Sequence, residues 1–186
     1  NKAIAKSSGE YIILVDGDMI LHPKFIRDHI DNAEPGYFVQ GTRVLLNQNI
    51  TQKMLTNPDS NFSFISKGLM NRKNTIHSNL LSKLFSKKKN YLHGIKTCNM
   101  AFFKQDCINV NGFNNEFEGW GKEDSEFVVR LLNNGIDRKN VRFNVIQYHL
   151  WHKKSDRESL EHNREILRNA IDHQLKKCYD GINKYI

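Results

Sequence analysis

Tyr11-Ile12-Ile13-Leu14-Val15-Asp16-Gly17-Asp18 is the stretch on which the fold turns. Five apolar residues in succession, without polar alternation, suit a central parallel strand buried on both faces. The run stops at a glycine set between two aspartates. Before it, Asn1 to Ser8 reads as the last turns of a helix, with Gly9 as its stop. After it, Pro23 suits a first helical turn, and Phe25, Ile26, His29 and Ile30 give a short helical face. Tyr37 to Leu46 is rich in aromatic and β-branched residues and reads as one strand.

Further out the alternation continues. Ile76, Leu80, Leu81, Leu84 and Phe85 stand at helical spacing, and Met100 to Phe103 reads as a strand. Glu123 to Asn134 predicts a helix, with acidic residues in its first turn and Gly135 closing it. Val141 to Tyr148 predicts a strand, and Asp156 to Tyr179 a long polar helix. Strands alternating with helices argue an α/β fold, a mixed and mainly parallel sheet flanked by helices.

The chain has 186 residues and a formal charge of +8, with 28 Lys and Arg against 20 Asp and Glu, which suits one compact domain. No apolar run approaches the ~18 residues that span a bilayer. Three cysteines, Cys98, Cys107 and Cys178, form no C-x-x-C pair, which argues against a disulfide framework or zinc ribbon and for a reducing compartment. The charge is concentrated: Ser60 to Gln105 holds nine basic residues and no acidic one. It contains no recognisable RNA- or DNA-binding motif, so nucleic acid is not expected as a partner.

Three constellations carry chemistry. Asp16-Gly17-Asp18 puts two carboxylates at the carboxyl end of a strand, where open α/β sheets bind ligands, and both can converge on a hard cation. A bare D-x-D also describes a solvated turn. His149-Leu150-Trp151-His152 follows a predicted strand, with imidazoles at i and i+3. Joined to carboxylates they make a mixed N/O site suited to Mn²⁺; Zn²⁺ is the competing metal, and Mg²⁺ fits an oxygen-richer set. Gly119-Trp120-Gly121-Lys122-Glu123-Asp124 lets the backbone approach a ligand beside a flat indole, as sugar binding requires, or caps a helix over a core Trp.

The order Asp16-Gly17-Asp18, then Asn111-Gly112-Phe113 leading into Gly119 to Asp124, then His149-x-x-His152, resembles the inverting glycosyltransferases of the GT-A fold. Within family 2 it is most similar to the β-1,4-galactosyltransferases and the bacterial chondroitin-type polymerases. The stretch from Val110 to Ile136 resembles the galactosyltransferase motif almost position by position, and the likeness extends roughly from Asn1 to His152. It implies that Asp18 ligates Mn²⁺ and that Asp16 holds the nucleotide ribose or reaches the metal through water. His152 matches the metal-binding His, and His149 stands where those enzymes carry a Met ligand. Trp120 would contact donor and acceptor, Asp124 would be the catalytic base, and Gly121, Glu123 and Asn99 would face the acceptor. The implied donor is a nucleotide sugar, UDP-linked, and the implied acceptor a glycan or lipid-linked sugar of polysaccharide biosynthesis. A sugar- or nucleotide-binding remnant without turnover is the alternative.

The family carries further strands ahead of its D-x-D strand, which hold the nucleotide base. This sequence opens on Asn1-Lys2-Ala3 after them, so the fold is expected to lack them and this piece alone is not expected to be fully active. Residues 1–155 are then the carboxyl-terminal part of the transferase domain, with a basic insertion at about 60–92, and 156–186 a helical extension. Leu80 and Leu84 with Lys83 and Lys87 to Lys89 suggest contact with an anionic membrane. The expected location is cytoplasmic, peripheral on the inner face of the membrane; a solvated lysine-rich loop is the other reading.

Overall fold

The computed structural model describes residues 1–57, 62–153 and 157–186. Ser60 at the head of the basic stretch, the boundary between residues 155 and 156, and the predicted helix start at Asp156 lie outside them. In chain order the elements are α1 (Lys2–Lys6), β1 (Tyr11–Leu14), β2 (Met19–Leu21), α2 (Phe25–Asn32), β3 (Tyr37–Gln40), β4 (Val44–Leu46), α3 (Gln48–Thr56) and β5 (Leu69–Met70). They continue with α4 (Asn79–Phe85), β6 (Lys87–Lys88), β7 (Met100–Phe103), α5 (Lys104–Asn109), α6 (Glu123–Asn133), β8 (Asp137–Asn140), β9 (Gln147–His149) and α7 (Leu160–Asp172). Three short 3-10 turns complete the set among the described residues.

The strands form two mixed sheets flanked by helices. The larger runs β1-β7-β3-β8-β6 and the smaller β2-β9-β4-β5. Among the described residues only β3 with β8 and β4 with β9 pair in parallel; the other pairs are antiparallel. The sheets are therefore less parallel than the sequence suggested, and β1 is an edge strand rather than a central one. Its unbroken apolar run still reflects burial on both faces. Ile12 and Leu14 join the core formed by Ile4, Phe38, Phe102 and Phe127, while Tyr11 and Ile13 pack on Val39, Ala101 and Val145. An apolar run reports that both faces are covered, not which way its neighbours run.

Two predicted strands are broken where the chain passes between sheets. Tyr37 to Leu46 divides at Gly41-Thr42-Arg43 into β3 of the large sheet and β4 of the small one. Gly41 is required there, because a Cβ would lie 2.4 Å from the Asn99 side chain. Val141 to Tyr148 is likewise no single strand: Phe143 and Val145 take left-handed backbone angles, and β8 ends before them while β9 begins after. β-branched composition cannot reveal such a crossing, since the apolar residues on either side of it, Val39 and Val44, Val141 and Ile146, are buried in both sheets alike.

Helix α2 buries Phe25, Asp28 and His29 and leaves Ile26 and Ile30 exposed, so its inward face is more polar than its spacing implied. α4, capped by Ser78, buries Ser82 and exposes Leu80 and Leu84. α6 is buried along most of its length. Within it Arg130 makes a bidentate pair with Glu126, at 2.6 and 2.7 Å, and also donates to the Val110 carbonyl. α7 is shorter than predicted, ending before Gln174, and lies against α6 with Ala170 buried. All three cysteines are free and buried. No helix among the described residues is long and apolar enough to cross a membrane.

Candidate active site

The turn from β1 to β2 places Asp18 against β9. Its Oδ2 lies 3.2 Å from His149 Nε2 and 3.1 Å from His152 Nε2. Met19 pairs with His149 across β2 and β9, and the Leu150 N–H donates to the Asp18 carbonyl, so the backbone ladder fixes the three side chains together. The second His152 nitrogen, Nδ1, is 2.8 Å from the Lys153 carbonyl, which can only accept a hydrogen bond. With Nδ1 donating to that carbonyl, Nε2 faces the Asp18 carboxylate, which it can meet as a lone pair sharing a cation or as the second N–H of a protonated ring. The other Asp18 oxygen is buried and has no partner among the described residues. Ligand atoms roughly 3.0 to 3.4 Å apart are what metal bonds of about 2.1 Å produce, so spacing and donor set both fit a divalent metal.

A second group, His22, Asp28 and His77, also brings ligand atoms together. Its two imidazoles are stacked with planes 5° apart, so their in-plane lone pairs cannot meet at one ion. Asp28 is instead engaged by His77 and by the Val145 N–H, as part of the packing.

The other half of the site is the start of α6. Gly119, Gly121 and Lys122 all have positive φ, which turns the chain sharply into the helix. Glycine is needed at 121 because its φ of 114° is strained for any residue with a side chain. Trp120 remains 47% exposed, with the Arg157 guanidinium over its ring. Glu123 accepts a hydrogen bond from the Gly121 N–H at 2.9 Å. Asp124 accepts two from Thr97: the backbone N–H at 3.0 Å on Oδ2 and the hydroxyl at 2.8 Å on Oδ1.

These groups line one cleft of about 520 Å³ that includes Asp16, Arg43, Lys96, Thr97, Trp120, Gly121, Glu123 and Asp124. Burial pushes the Asp124 carboxyl up from its ordinary value, against the Thr97 hydrogen bonds and the Lys96 and Arg43 charges. Burial also raises Glu123, helped by the neighbouring Asp124 charge. Asp16 is raised by burial and then by the charges of Asp18 and Asp124, while Arg43 and His152 pull it down. The aspartate turn, the histidines and the helix start thus share one electrostatic environment.

Asn99 is placed differently from the other candidates. It is buried, and its side-chain N–H₂ donates to the carbonyls of Thr42 and Val145, both at 2.7 Å, while its Oδ1 meets His29 Nε2 at 2.9 Å. Its amide thus knits together the two sheet crossings and α2. Arg43, Lys96 and Thr97 were not singled out from sequence. Arg43 was hidden inside what read as one strand, Lys96 was one basic residue among nine, and Thr97 belongs to no motif.

Residues 1–109 match the profile of glycosyl transferase family 2, and residues 80–154 match that described as the N-terminal domain of galactosyltransferase. A stretch of 94 residues is 31% identical to Beta-1,4-galactosyltransferase 7 of Drosophila melanogaster, covering 46% of this chain and 27% of that protein. The chain thus spans about a quarter of the length of that relative. The family 2 match covers more than half of the sequence, and the chain belongs to glycosyl transferase family 2. Its two mixed sheets flanked by helices are consistent with a GT-A-like fold.

Proposed function

We propose that this glycosyltransferase is inverting and metal-dependent, and that it moves a hexose from a UDP-linked donor to a glycan or lipid-linked acceptor in polysaccharide biosynthesis. The observation that carries this reading is the placing of Asp124 in one cleft with Asp16, beside the Asp18, His149 and His152 cluster.

Asp18, His152 and His149 would hold Mn²⁺, with Mg²⁺ as a weaker substitute for a donor set containing two nitrogens. When bound, the metal supplies a Lewis acid for the charge that develops on the departing diphosphate. Asp16, which lines the cleft, would hold the donor's ribose, and the half-exposed Trp120 would offer the sugar a stacking face. The acceptor hydroxyl oxygen attacks the anomeric carbon and gives its proton to Asp124. The bond from that carbon to the diphosphate breaks with both electrons leaving on the phosphate oxygen. Burial favours proton capture by Asp124, while the Thr97 bonds fix its orientation and favour its ionised form. Gly121 and Glu123, at the same lip of the cleft, would position the acceptor. Glu123 and Asp124 are consecutive residues at one helix start, which suits a base and its neighbour rather than the two flanking carboxylates of a glycosidase.

The test is Asp124→Asn. It should abolish transfer while UDP and Mn²⁺ binding stay near wild type; retained transfer overturns the base assignment. Binding of UDP and Mn²⁺ without transfer by the unaltered protein would instead support a non-catalytic binding protein. Three unpaired thiols and the cationic, apolar surface of α4 support a cytoplasmic site of action, peripheral on the inner membrane face.

A further inference from the structure

Trp120 stands on a turn that belongs to no helix or strand, between Glu118 and the start of α6. Gly119 on one side of it has a φ of 63°, and Gly121 on the other a φ of 114°. A residue between two glycines is loosely specified by its own sequence, so something outside the turn must decide where the indole points. α7, which follows His152 in sequence, lies along this turn. Asn163 Nδ2 donates to the Glu118 carbonyl at 2.9 Å. A Cβ placed on Gly119 would fall 3.0 Å from Ser159 Oγ, and one placed on Gly121 would fall 2.9 Å from Leu160 Cδ1. Both glycines therefore lie against the first turn of α7. Leu160 and Arg164 of that helix also line the cleft beside Trp120.

Asn163 is out of character for its position. α7 buries Asn163 and Ala170, seven residues apart and so on one face, where a helix ordinarily packs apolar side chains. Asn163 is wholly buried, and its Oδ1 has no partner among the described residues. A buried acceptor left unmade destabilises a fold, and a leucine of the same branched outline would bring no such penalty. Leucine is also the better helix former. Stability of α7 therefore does not account for an amide at this place. What the amide supplies, and an apolar side chain could not, is the bond to the Glu118 carbonyl. That carbonyl belongs to the planar peptide entering Gly119, so holding it fixes the orientation from which the turn departs.

We propose that Asn163 is a positioning residue for Trp120: by holding the Glu118 carbonyl it selects one conformation of the Gly119-Trp120-Gly121 turn, and it makes α7 part of the transfer machinery. Being wholly buried, Asn163 does not itself meet a substrate. It acts through the peptide units of the turn and the indole they carry. Stacking on a sugar ring requires one orientation of that indole, and a glycine-flanked turn without the bond would sample several. The Arg157 guanidinium, 5.1 Å from the centroid of the Trp120 ring, adds a second contact from the segment leading into α7. The sugar-binding role of Trp120 rests on the function proposed above; its placement by Asn163 rests on the hydrogen bond and the packing of α7.

The test is Asn163→Leu, which keeps the side-chain outline and removes both the bond and the unpartnered acceptor; Asn163→Ala, which adds no bulk, carries the test if the leucine does not fold. The chain has two tryptophans, so in a Trp151→Phe background fluorescence reports Trp120 alone. Loss of the bond should raise acrylamide quenching of Trp120 by about twofold and lower its anisotropy, without a fall in melting temperature for the leucine variant. A purely structural amide would do the reverse, lowering the melting temperature and leaving Trp120 as it was, and that result overturns the proposal. Calorimetry with Mn²⁺ then compares UDP-galactose with UDP. Trp120→Ala and Asn163→Leu should each weaken UDP-galactose by about fivefold and leave UDP within about twofold of wild type. A loss in Trp120→Ala that Asn163→Leu does not share also overturns the proposal. If Trp120→Ala leaves UDP-galactose binding intact, the sugar-binding role of Trp120 fails, and placement by Asn163 stands or falls on the fluorescence.

Discussion

Thr97 holds both carboxylate oxygens of Asp124, one through its backbone N–H and one through its hydroxyl. Residues from two distant parts of the sequence thereby fix the orientation of one side chain at the start of α6. Hydrogen bonds to an ionised carboxylate favour that form, and burial opposes it. Replacing Thr97 by Val removes one bond and leaves the burial, so the Asp124 pKa should rise further. A base works when deprotonated, so the acidic limb of the pH–rate profile should move to higher pH. We expect kcat near neutral pH to fall by about tenfold or more, within the range for impaired general-base catalysis. An unchanged acidic limb would show that Asp124 is not the titrating base.

Metal dependence should be equally direct. Chelation should stop transfer and Mn²⁺ should restore it better than Mg²⁺. His152→Ala should weaken Mn²⁺ binding by at least about tenfold, a lower bound set by the effect of losing even an outer-sphere partner. Titration calorimetry separates this from folding defects, because His152 is half exposed and its loss leaves no buried void.

Asn99 predicts a stability effect. Asn99→Ala leaves the Thr42 and Val145 carbonyls and the His29 ring without their partner, and unmade buried bonds cost about 1–3 kcal/mol each. We expect a loss of roughly 3 kcal/mol or more in urea unfolding. A change below about 1 kcal/mol would mean that the crossings do not depend on this amide.

His29 gives the same junction a pH signature. Burial pushes its pKa down to about 4, against the hydrogen bond to Asn99 and the charge of Asp28. The unfolded chain therefore binds a proton that the fold rejects. Stability from this residue is full above the unfolded value near 6.5 and is lost as pH falls from there to about 4, below which the loss levels off. His29→Gln should flatten the unfolding free energy across that window; an unaltered slope would place the titrating group elsewhere.

The α4 surface tests location. Leu80 and Leu84 are 69% and 66% exposed beside Lys83, and Lys87 and Lys89 follow. Binding to vesicles containing anionic lipid should drop sharply when Lys87, Lys88 and Lys89 are changed to Glu, and should weaken with salt. Equal flotation of both proteins removes the membrane contact.

Much of this was legible in the sequence, for identifiable reasons. The Asp16 and Asp18 turn, the Trp120 glycine pair, the α6 start and the two histidines are local patterns, each contained in a few consecutive residues. What escaped was long-range. Arg43, Lys96 and Arg138 converge where the chain passes between the sheets at Gly41, a position without a side chain beside Asn99. Periodicity registers burial along a segment; it carries no information about which sheet the next residue joins. The same blindness made β1 look central, and it joined β3 to β4.

Three direct passages between the sheets run through residues 15–18, 41–43 and 141–146, carrying Asp16 and Asp18, carrying Arg43, and leading into His149. The cleft is thus also the seam of the molecule. A donor and metal bound there would act as a weld across it, so occupancy and rigidity become one variable. Hydrogen exchange in β2, β4 and β9 should slow on loading far more than in β3 and β7, turning the small sheet into a reporter of whether the transferase is charged.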